Sequence, residues 1–198
     1  MKEFYKLATK LSKKIQRELG AGFKENVLQA ALAVEFINSK VVYEKELSLD
    51  VLYKKHPVGY IVADFYIPQQ KNFGIKEDLI IETKQAALEN KIEYLSQLKI
   101  YLKSRAKHLS KENTCKAMLI QWNKRDHVSE DGLTLEFSSD MKVEVWELDK
   151  NKLNMIWSSK INNFPVCVSI RRIVPMQFNT SCLLNGWTYT DNTIKIDC

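Results

Sequence analysis

Two short segments of this chain carry residues that could perform chemistry together. Segment 80–84 reads IIETK and offers Glu82 and Lys84 two positions apart, while Asp64 lies in an apolar run upstream. Side chains alternate between the two faces of a β-strand, so Glu82 and Lys84 should share one face and Thr83 should point to the other. An acid and a lysine fixed on an apolar strand could take part in a magnesium-dependent phosphodiester cut.

The residue types fit that chemistry. Magnesium prefers hard oxygen ligands and usually takes only one or two carboxylates, for which Asp64 and Glu82 are candidates. Lys84 could position the attacking water and stabilise the negative charge that develops on the phosphate oxygens. The alternative is a surface ion pair between Glu82 and Lys84 with no catalytic role.

Segment 43–67 predicts a β-hairpin that would hold Asp64. Its two apolar runs are separated by a turn at Lys54–Pro57. Strict alternation along the second strand would place Asp64 on one face with Tyr60, Val62 and Tyr66, and would place Ala63 and Phe65 on the other face. A buried carboxylate at this position would need a charged or metal partner.

The elements that follow predict the centre of the fold. A strand at Asp78–Lys84 precedes a helical pattern over about 86–109, and a nearly all-apolar strand follows at Cys115–Trp122. A strand, a crossover helix and a second strand normally form a right-handed parallel unit. The expected fold class is therefore α/β, a mixed central sheet flanked by helices.

Two helices are expected before the hairpin. The first has an apolar stripe at helical spacing and ends at Gly20. The second should run from about Phe23 to Asn38 and carries Glu25 and Gln29 one turn apart, on a shared face. Glu25 could be a third acidic residue of the site, or it could only complement the helix dipole.

An ordered set of short motifs resembles a known family. The run LGAGFKENV, with Gly22 and Glu25, resembles the opening of the GxxExxY proteins, a branch of the PD-(D/E)XK nuclease superfamily. The Ala63–Phe65 run, the IIETK strand, Gln97-Leu98 with Tyr101-Leu102, and the AMLI strand follow in the family's order. The resemblance spans about residues 15–123.

The resemblance implies a restriction-endonuclease-like core and a role for each matching residue. Asp64 and Glu82 would bind the metal, Lys84 would be the catalytic lysine, and Glu25 would be an accessory acid that also contacts the metal. Gln97 would point from its helix toward the site, although a solvated helix residue is an equal alternative. The implied cofactor is Mg²⁺, with Mn²⁺ as a substitute, and the implied substrate is nucleic acid, with DNA favoured over RNA.

Composition is that of an ordinary globular chain. Its 198 residues are 45% apolar and 27% charged, and no run approaches the ~18 apolar residues of a membrane span. We find no apolar secretory segment, and we expect an intracellular protein of the cytoplasm or nucleus without membrane association. The four cysteines show no paired spacing, which indicates reduced thiols and neither a disulfide framework nor a zinc site.

The formal net charge of +6 has the sign expected for a protein that binds nucleic acid. The basic residues cluster on two predicted helices, and each cluster could hold phosphates without reading sequence or could be a solvated helix face. These candidate nucleic-acid-binding residues are Lys10, Lys13 and Arg17 on the first helix, and Lys99 and Lys103 on the long helix.

The segment 140–198 predicts a β-rich extension to a core at 1–139. It contains a hairpin with a turn near Lys150-Asn151 and a further strand in VCVSIRRIV, and it could extend the sheet or form a homodimer contact. These features together favour a metal-dependent nuclease without strong sequence specificity. The alternative is a non-catalytic nucleic-acid-binding or assembly protein that reuses the fold.

Overall fold

A mixed β-sheet forms the centre of the fold. The computed structural model describes residues 1–19, 23–85, 92–106, 114–122, 126–128, 134–137, 141–161 and 166–169. The helices are α1 (Lys2–Leu19), α2 (Glu25–Asn38) and α3 (Ile92–Ala106). The strands are β1 (Glu44–Tyr53), β2 (His56–Ile67), β3 (Asp78–Gln85), β4 (Cys115–Trp122), β5 (Asp126–Val128), β6 (Thr134–Phe137), β7 (Met141–Asp149), β8 (Lys152–Ile161) and β9 (Val166–Ser169).

Six of these strands make one sheet in the order β1-β2-β3-β4-β7-β8. The pair β3 and β4 is parallel and is joined through α3, whereas the other neighbours are antiparallel. The expected α/β fold with a mixed sheet flanked by helices, of the restriction-endonuclease-like kind, is therefore confirmed.

The sheet is covered on both faces. Helices α1 and α2 pack on one face, where Phe36 meets Phe65 with ring centroids 5.6 Å apart. Helix α3 packs on the other face, where Leu98 and Tyr101 contact residues such as Ala63. Burial on both faces explains why β3 begins with a continuous apolar run, since a central strand has no solvent-facing side.

The expected alternation along β2 is wrong at Asp64. Ala63 packs in the cluster under α3, whereas Phe65, two residues on, packs in the cluster under α1 and α2. The β1–β2 pairing passes from Leu47–Ala63 to Lys45–Phe65, and Glu46, between Lys45 and Leu47, has a left-handed φ of 60°. This local irregularity rotates the strands, so Asp64 sits where the strand changes faces.

The segment after residue 140 contributes to the same sheet. Strand β7 pairs with β4, and β8 pairs with β7 through a turn at Lys150-Asn151, both with positive φ, so the expected hairpin is confirmed. The strand expected in VCVSIRRIV appears as β9, in a separate sheet with β5 and β6. The rest of that segment and everything after it, residues 170–198, lie outside the described residues. The division at residue 139/140 and the homodimer stay predictions.

Two further expectations concern single features. In the described part of the chain, no helix has the length and apolar character needed to span a membrane. Cys115 in β4 is a free thiol, and burial raises its pKa to about 12. The side chains of the other three cysteines lie outside the described residues.

Candidate active site

Strand β3 presents Glu82 and Lys84 in direct contact. The Lys84 ammonium (Nζ) lies 2.5 Å from Glu82 Oε1, so the expected shared face is confirmed. The side chains are only 2% and 18% exposed for Glu82 and Lys84, which excludes a solvent-exposed surface pair. The ammonium also lies 5.9 Å from the ring centroid of Tyr94 on α3, within cation–π range.

Asp64 is hydrogen-bonded to Thr83, the residue between Glu82 and Lys84. Its Oδ2 accepts hydrogen bonds from the Thr83 backbone N–H and from the Thr83 hydroxyl, both at 2.7 Å. The pairing of β2 with β3 ends at Phe65–Ile81, so the Thr83 N–H does not continue the ladder to a β2 carbonyl. The Asp64 carboxylate accepts from that N–H instead. The Thr83 hydroxyl in turn accepts from Gln29 Nε2 at 2.9 Å, which links Asp64 to α2.

Helix α3 fixes Glu82 from the opposite side. The Tyr101 hydroxyl lies 3.0 Å from Glu82 Oε2 and 2.7 Å from the Val62 carbonyl oxygen, and it accepts a hydrogen bond from Gln97 Nε2 at 2.5 Å. Gln97 therefore points toward the site, as the family resemblance implied, but it reaches Glu82 through Tyr101. The side chain is half-buried and bonded to Tyr101, so Gln97 is not only a solvated helix residue.

Glu25 enters the site from the first turn of α2. Its Oε2 accepts from the Gln85 backbone N–H at 3.0 Å, and its Oε1 lies 3.5 Å from Lys84 Nζ. The side chain is 35% exposed, so it sits at the edge of the group. Glu25 thus does more than complement the helix dipole, because it ties α2 to the end of β3.

The two central carboxyl groups resist ionisation. Burial, reinforced by the negative charge of Asp64, raises the pKa of Glu82 to about 7, although Lys84 opposes the shift. Burial also raises the pKa of Asp64, against the hydrogen bonds from Thr83. Each ionised carboxylate disfavours ionisation of the other, and a divalent cation bound nearby would relieve that repulsion.

Lys84 is held as an ammonium. Burial alone would lower its pKa, but the charges of Glu82, Glu25 and Asp64 outweigh burial and raise it. A lysine in this state donates hydrogen bonds and positive charge, and it does not act as a base at neutral pH.

The donor set fits a divalent cation. Glu82 and Glu25 contact the ammonium of Lys84 and the charge of Asp64 also acts on it, so with all three acids ionised the group has a formal excess of two negative charges. Within the described ranges, no three Asp, Glu, His or Cys side chains share a geometry that would hold a metal ion. Two carboxylates suffice for magnesium, which keeps several waters, so Asp64 and Glu82 are the residues that could hold it.

The basic residues lie on opposite sides of the sheet. Lys10, Lys13 and Arg17 are exposed on α1, while Lys103 is exposed and Lys99 half-buried on α3. They do not form one continuous face with the carboxylates. Arg105, also on α3, is committed to the fold, because it pairs with Asp78 at 2.9 Å and stacks on Tyr66 at 4.8 Å.

Sequence reasoning did not identify two side chains that contact the candidate carboxylates. Thr83 was expected only to face away from Glu82, and Tyr101 was noted only as part of a motif. The Thr83 hydroxyl donates to Asp64, and the Tyr101 hydroxyl lies within hydrogen-bond distance of Glu82. The position of Thr83 inside ETK, next to both charged residues, was the signal that could have identified it.

Replacing Thr83 with valine should weaken the support of Asp64. The change keeps the shape but removes the hydroxyl donor to Oδ2, and a hydrogen bond to a charged group contributes about 1.5–3 kcal/mol. We expect urea denaturation at pH 8 to show that the free energy of unfolding falls by an amount of that order. Any activity of the site should fall as well.

The matched control is Thr9→Val in α1. Thr9 is also buried, and its hydroxyl donates to the neutral Tyr5 carbonyl at 2.8 Å. The expected loss there is smaller, about 0.5–1.5 kcal/mol. Equal losses for the two variants would show that the contact between Thr83 and Asp64 has no special weight.

Comparison with known proteins gives one match. The family model described as the PD-(D/E)XK nuclease superfamily matches residues 2–145. That range contains all five candidate catalytic residues and runs from α1 into β7. No curated protein and no solved structure matches the chain.

Proposed function

The chain belongs to the PD-(D/E)XK nuclease superfamily, and from that premise we propose that it hydrolyses phosphodiester bonds of nucleic acid at Asp64, Glu82 and Lys84. The observation that supports this most strongly is the contact of Glu82 and Lys84 on β3, with Asp64 bonded to Thr83 between them. Glu82 and Lys84 are thus in contact, Asp64 is bonded to the residue between them, and all three side chains are at least partly buried.

We propose Mg²⁺ as the cofactor, with Mn²⁺ as a substitute, held by Asp64 and Glu82. Glu25, whose oxygens contact Lys84 and Gln85, would add negative charge nearby and would not bind the ion directly. The superfamily is one of divalent-metal nucleases, and the excess of two negative charges in the site favours a doubly charged cation. When bound, such a cation supplies Lewis-acid chemistry that polarises a phosphate oxygen and activates a water.

The chain's own residues would then have separate tasks. Lys84, held as an ammonium, would stabilise the charge that develops on the phosphate oxygens. Tyr101 and Gln97 would hold the orientation of Glu82, and Thr83 would hold that of Asp64. Such positioning matters because small displacements of reacting groups lower rates strongly.

Binding of the substrate would depend mainly on phosphate contacts. The basic residues lie on two sides of the sheet, so either Lys10, Lys13 and Arg17 on α1 or Lys99 and Lys103 on α3 would attract the phosphate backbone, which carries no direct sequence information. We therefore propose cleavage without strong sequence specificity, with DNA preferred over RNA. Membership of the GxxExxY branch and an intracellular location belong to the same proposal.

The direct test is cleavage of plasmid, single-stranded DNA and RNA by the purified chain with Mg²⁺ or Mn²⁺. We expect nicking or degradation that EDTA stops and that Asp64→Asn removes while the circular dichroism spectrum is retained. Cleavage that persists in EDTA, or equally in the Asp64 variant, would refute the assignment. An inert wild-type protein that still binds nucleic acid would favour a non-catalytic role.

A further inference from the structure

The end of the β1–β2 hairpin extends beyond the body of the sheet. β2 pairs with β3 only from Ile67 to Phe65, whereas its pairing with β1 continues to His56. From Tyr53 to Tyr60 every residue is exposed, so this segment, the hairpin end, has solvent around it.

The hairpin end carries large exposed side chains that packing does not require. Tyr60 is 72% exposed, Tyr53 is 63% exposed and Val58 is 62% exposed. A tyrosine offers a flat π face together with a polar hydroxyl, which suits contact with a partner that is partly apolar and partly wet. These residues are therefore available for binding.

The turn at the tip is formed by two lysines in an unfavourable conformation. Lys54 and Lys55 have left-handed φ values of 47° and 69°. Two-residue turns of this kind favour Asn-Gly, because a Cβ atom is strained at positive φ. A strained turn that also holds two like charges side by side motivates a functional hypothesis for the tip. The Lys54 ammonium also lies 5.5 Å from the centroid of Tyr53.

The hairpin end is continuous with the candidate active site. Tyr60 precedes Asp64 by four residues on β2, a separation of about 13 Å along the strand. Ile61 and Ala63 pack toward α3, so Tyr60 projects from the other face of β2. A single strand that leaves the site around the edge of β2 beside Asp64 would pass Tyr60. The two tip lysines lie further out, where they would meet the phosphates of the same strand.

We propose that the hairpin end binds unpaired nucleotides next to the scissile bond, with Tyr60 stacked on a base and Lys54 and Lys55 on phosphates. This rests on the proposed function and adds a substrate class to it: single-stranded nucleic acid, or a duplex with an unpaired tail. Unpaired bases are required because a base inside a duplex has both faces covered by its neighbours. Stacking of this kind is tolerant of sequence, since every base has a π face.

The test compares Tyr60→Ala with Tyr60→Phe in the full chain. Fluorescence anisotropy in EDTA, where no metal supports cleavage, would measure binding of a labelled single strand and of a blunt duplex. We expect the alanine variant to bind the single strand about 5- to 150-fold more weakly, as for loss of one stacked base. The phenylalanine variant should bind as the wild type does, and duplex binding should be unchanged in both variants.

A second variant tests the two lysines with a substitution that should not destabilise the fold. Lys54→Asn combined with Lys55→Gly gives the turn its preferred residues, so the melting temperature should be equal or higher. Removal of two phosphate contacts should lower the slope of log K against log salt by about 1.4 on single strands. An unchanged slope would overturn the role of the lysines.

The outcomes separate the two proposals. Single-strand binding that is unchanged in Tyr60→Ala, or a loss that is equal on duplex, would overturn the stacking site even if the wild type cleaves. Conversely, a Tyr60-dependent preference for single strands in a protein that cleaves nothing would retain the binding site and refute the nuclease.

Discussion

Replacement of Lys84 by methionine is expected to lower the cleavage rate about 100- to 1000-fold or more. The ammonium is the one positive side chain within contact of Glu82 and Glu25 among the described residues, and the surrounding charges keep it protonated. Removing a single preorganised group that stabilises transition-state charge typically costs a factor of that size. Single-turnover cleavage of a labelled oligonucleotide would measure the effect on the chemical step.

Binding of metal should survive this substitution. Lysine is not a ligand for magnesium, so calorimetric titration of the Lys84→Met protein should show binding similar to that of the wild type. Lys76→Met, which removes an exposed lysine from the loop before β3, is the matched control and should cleave normally. Loss of metal binding with Lys84→Met would contradict a purely electrostatic role for this residue.

Substitution of Glu82 by glutamine should abolish cleavage and change the dependence of stability on pH. The pKa of Glu82 is about 7 in the folded chain, against an ordinary value of 4.5. Between these values the folded state keeps a proton that the unfolded chain has released. The resulting stabilisation is complete below about pH 4.5 and is lost as the pH rises to about 7.

The expected size of this effect is large for one residue. Glu82 alone should lower the free energy of unfolding of the wild type by roughly 3 kcal/mol between pH 4.5 and pH 7. Asp64, whose pKa is also raised, adds a contribution of the same sign. The Glu82→Gln protein lacks the larger contribution, so at pH 8 it should be more stable than the wild type although inactive.

Urea denaturation at several pH values from 5 to 8 would measure the difference. The two proteins should have similar stability at the acid end and diverge as the pH rises. Glu3→Gln, an exposed change on α1, controls for the loss of one surface charge and should follow the wild type. Parallel curves for wild type and Glu82→Gln would mean that Glu82 is not the group that titrates.

The sequence predicted those parts of the site that lie on one strand. Glu82 and Lys84 follow from alternation on an apolar strand, and the crossover from β3 through α3 to β4 follows from the order of elements. The position of Asp64 was not predictable in the same way. It depends on the left-handed backbone at Glu46 on the adjacent strand, and glutamate has no sequence preference that signals this conformation.

The hydrogen bonds between elements were also beyond sequence reasoning. Tyr101 reaches the Val62 carbonyl across 39 residues, and Gln29 reaches Thr83 across 54. Such bonds depend on how α2 and α3 pack on the sheet, and the spacing of residues within one helix or strand does not predict that packing. Gln97 was identified only because the family resemblance supplied it.

The hydrogen bond from Thr83 N–H to Asp64 gives this aspartate a structural role in any chain with this fold. Asp64 closes a gap between β2 and β3, so its removal would orphan a backbone donor even in a protein with no chemistry to perform. Glu82 and Lys84 form a buried ion pair, and joint replacement of such a pair by apolar residues is often neutral for stability. An aspartate at this position in a homologue is therefore expected whether or not that homologue is a nuclease, and the Glu–Lys pair is the better indicator of chemistry.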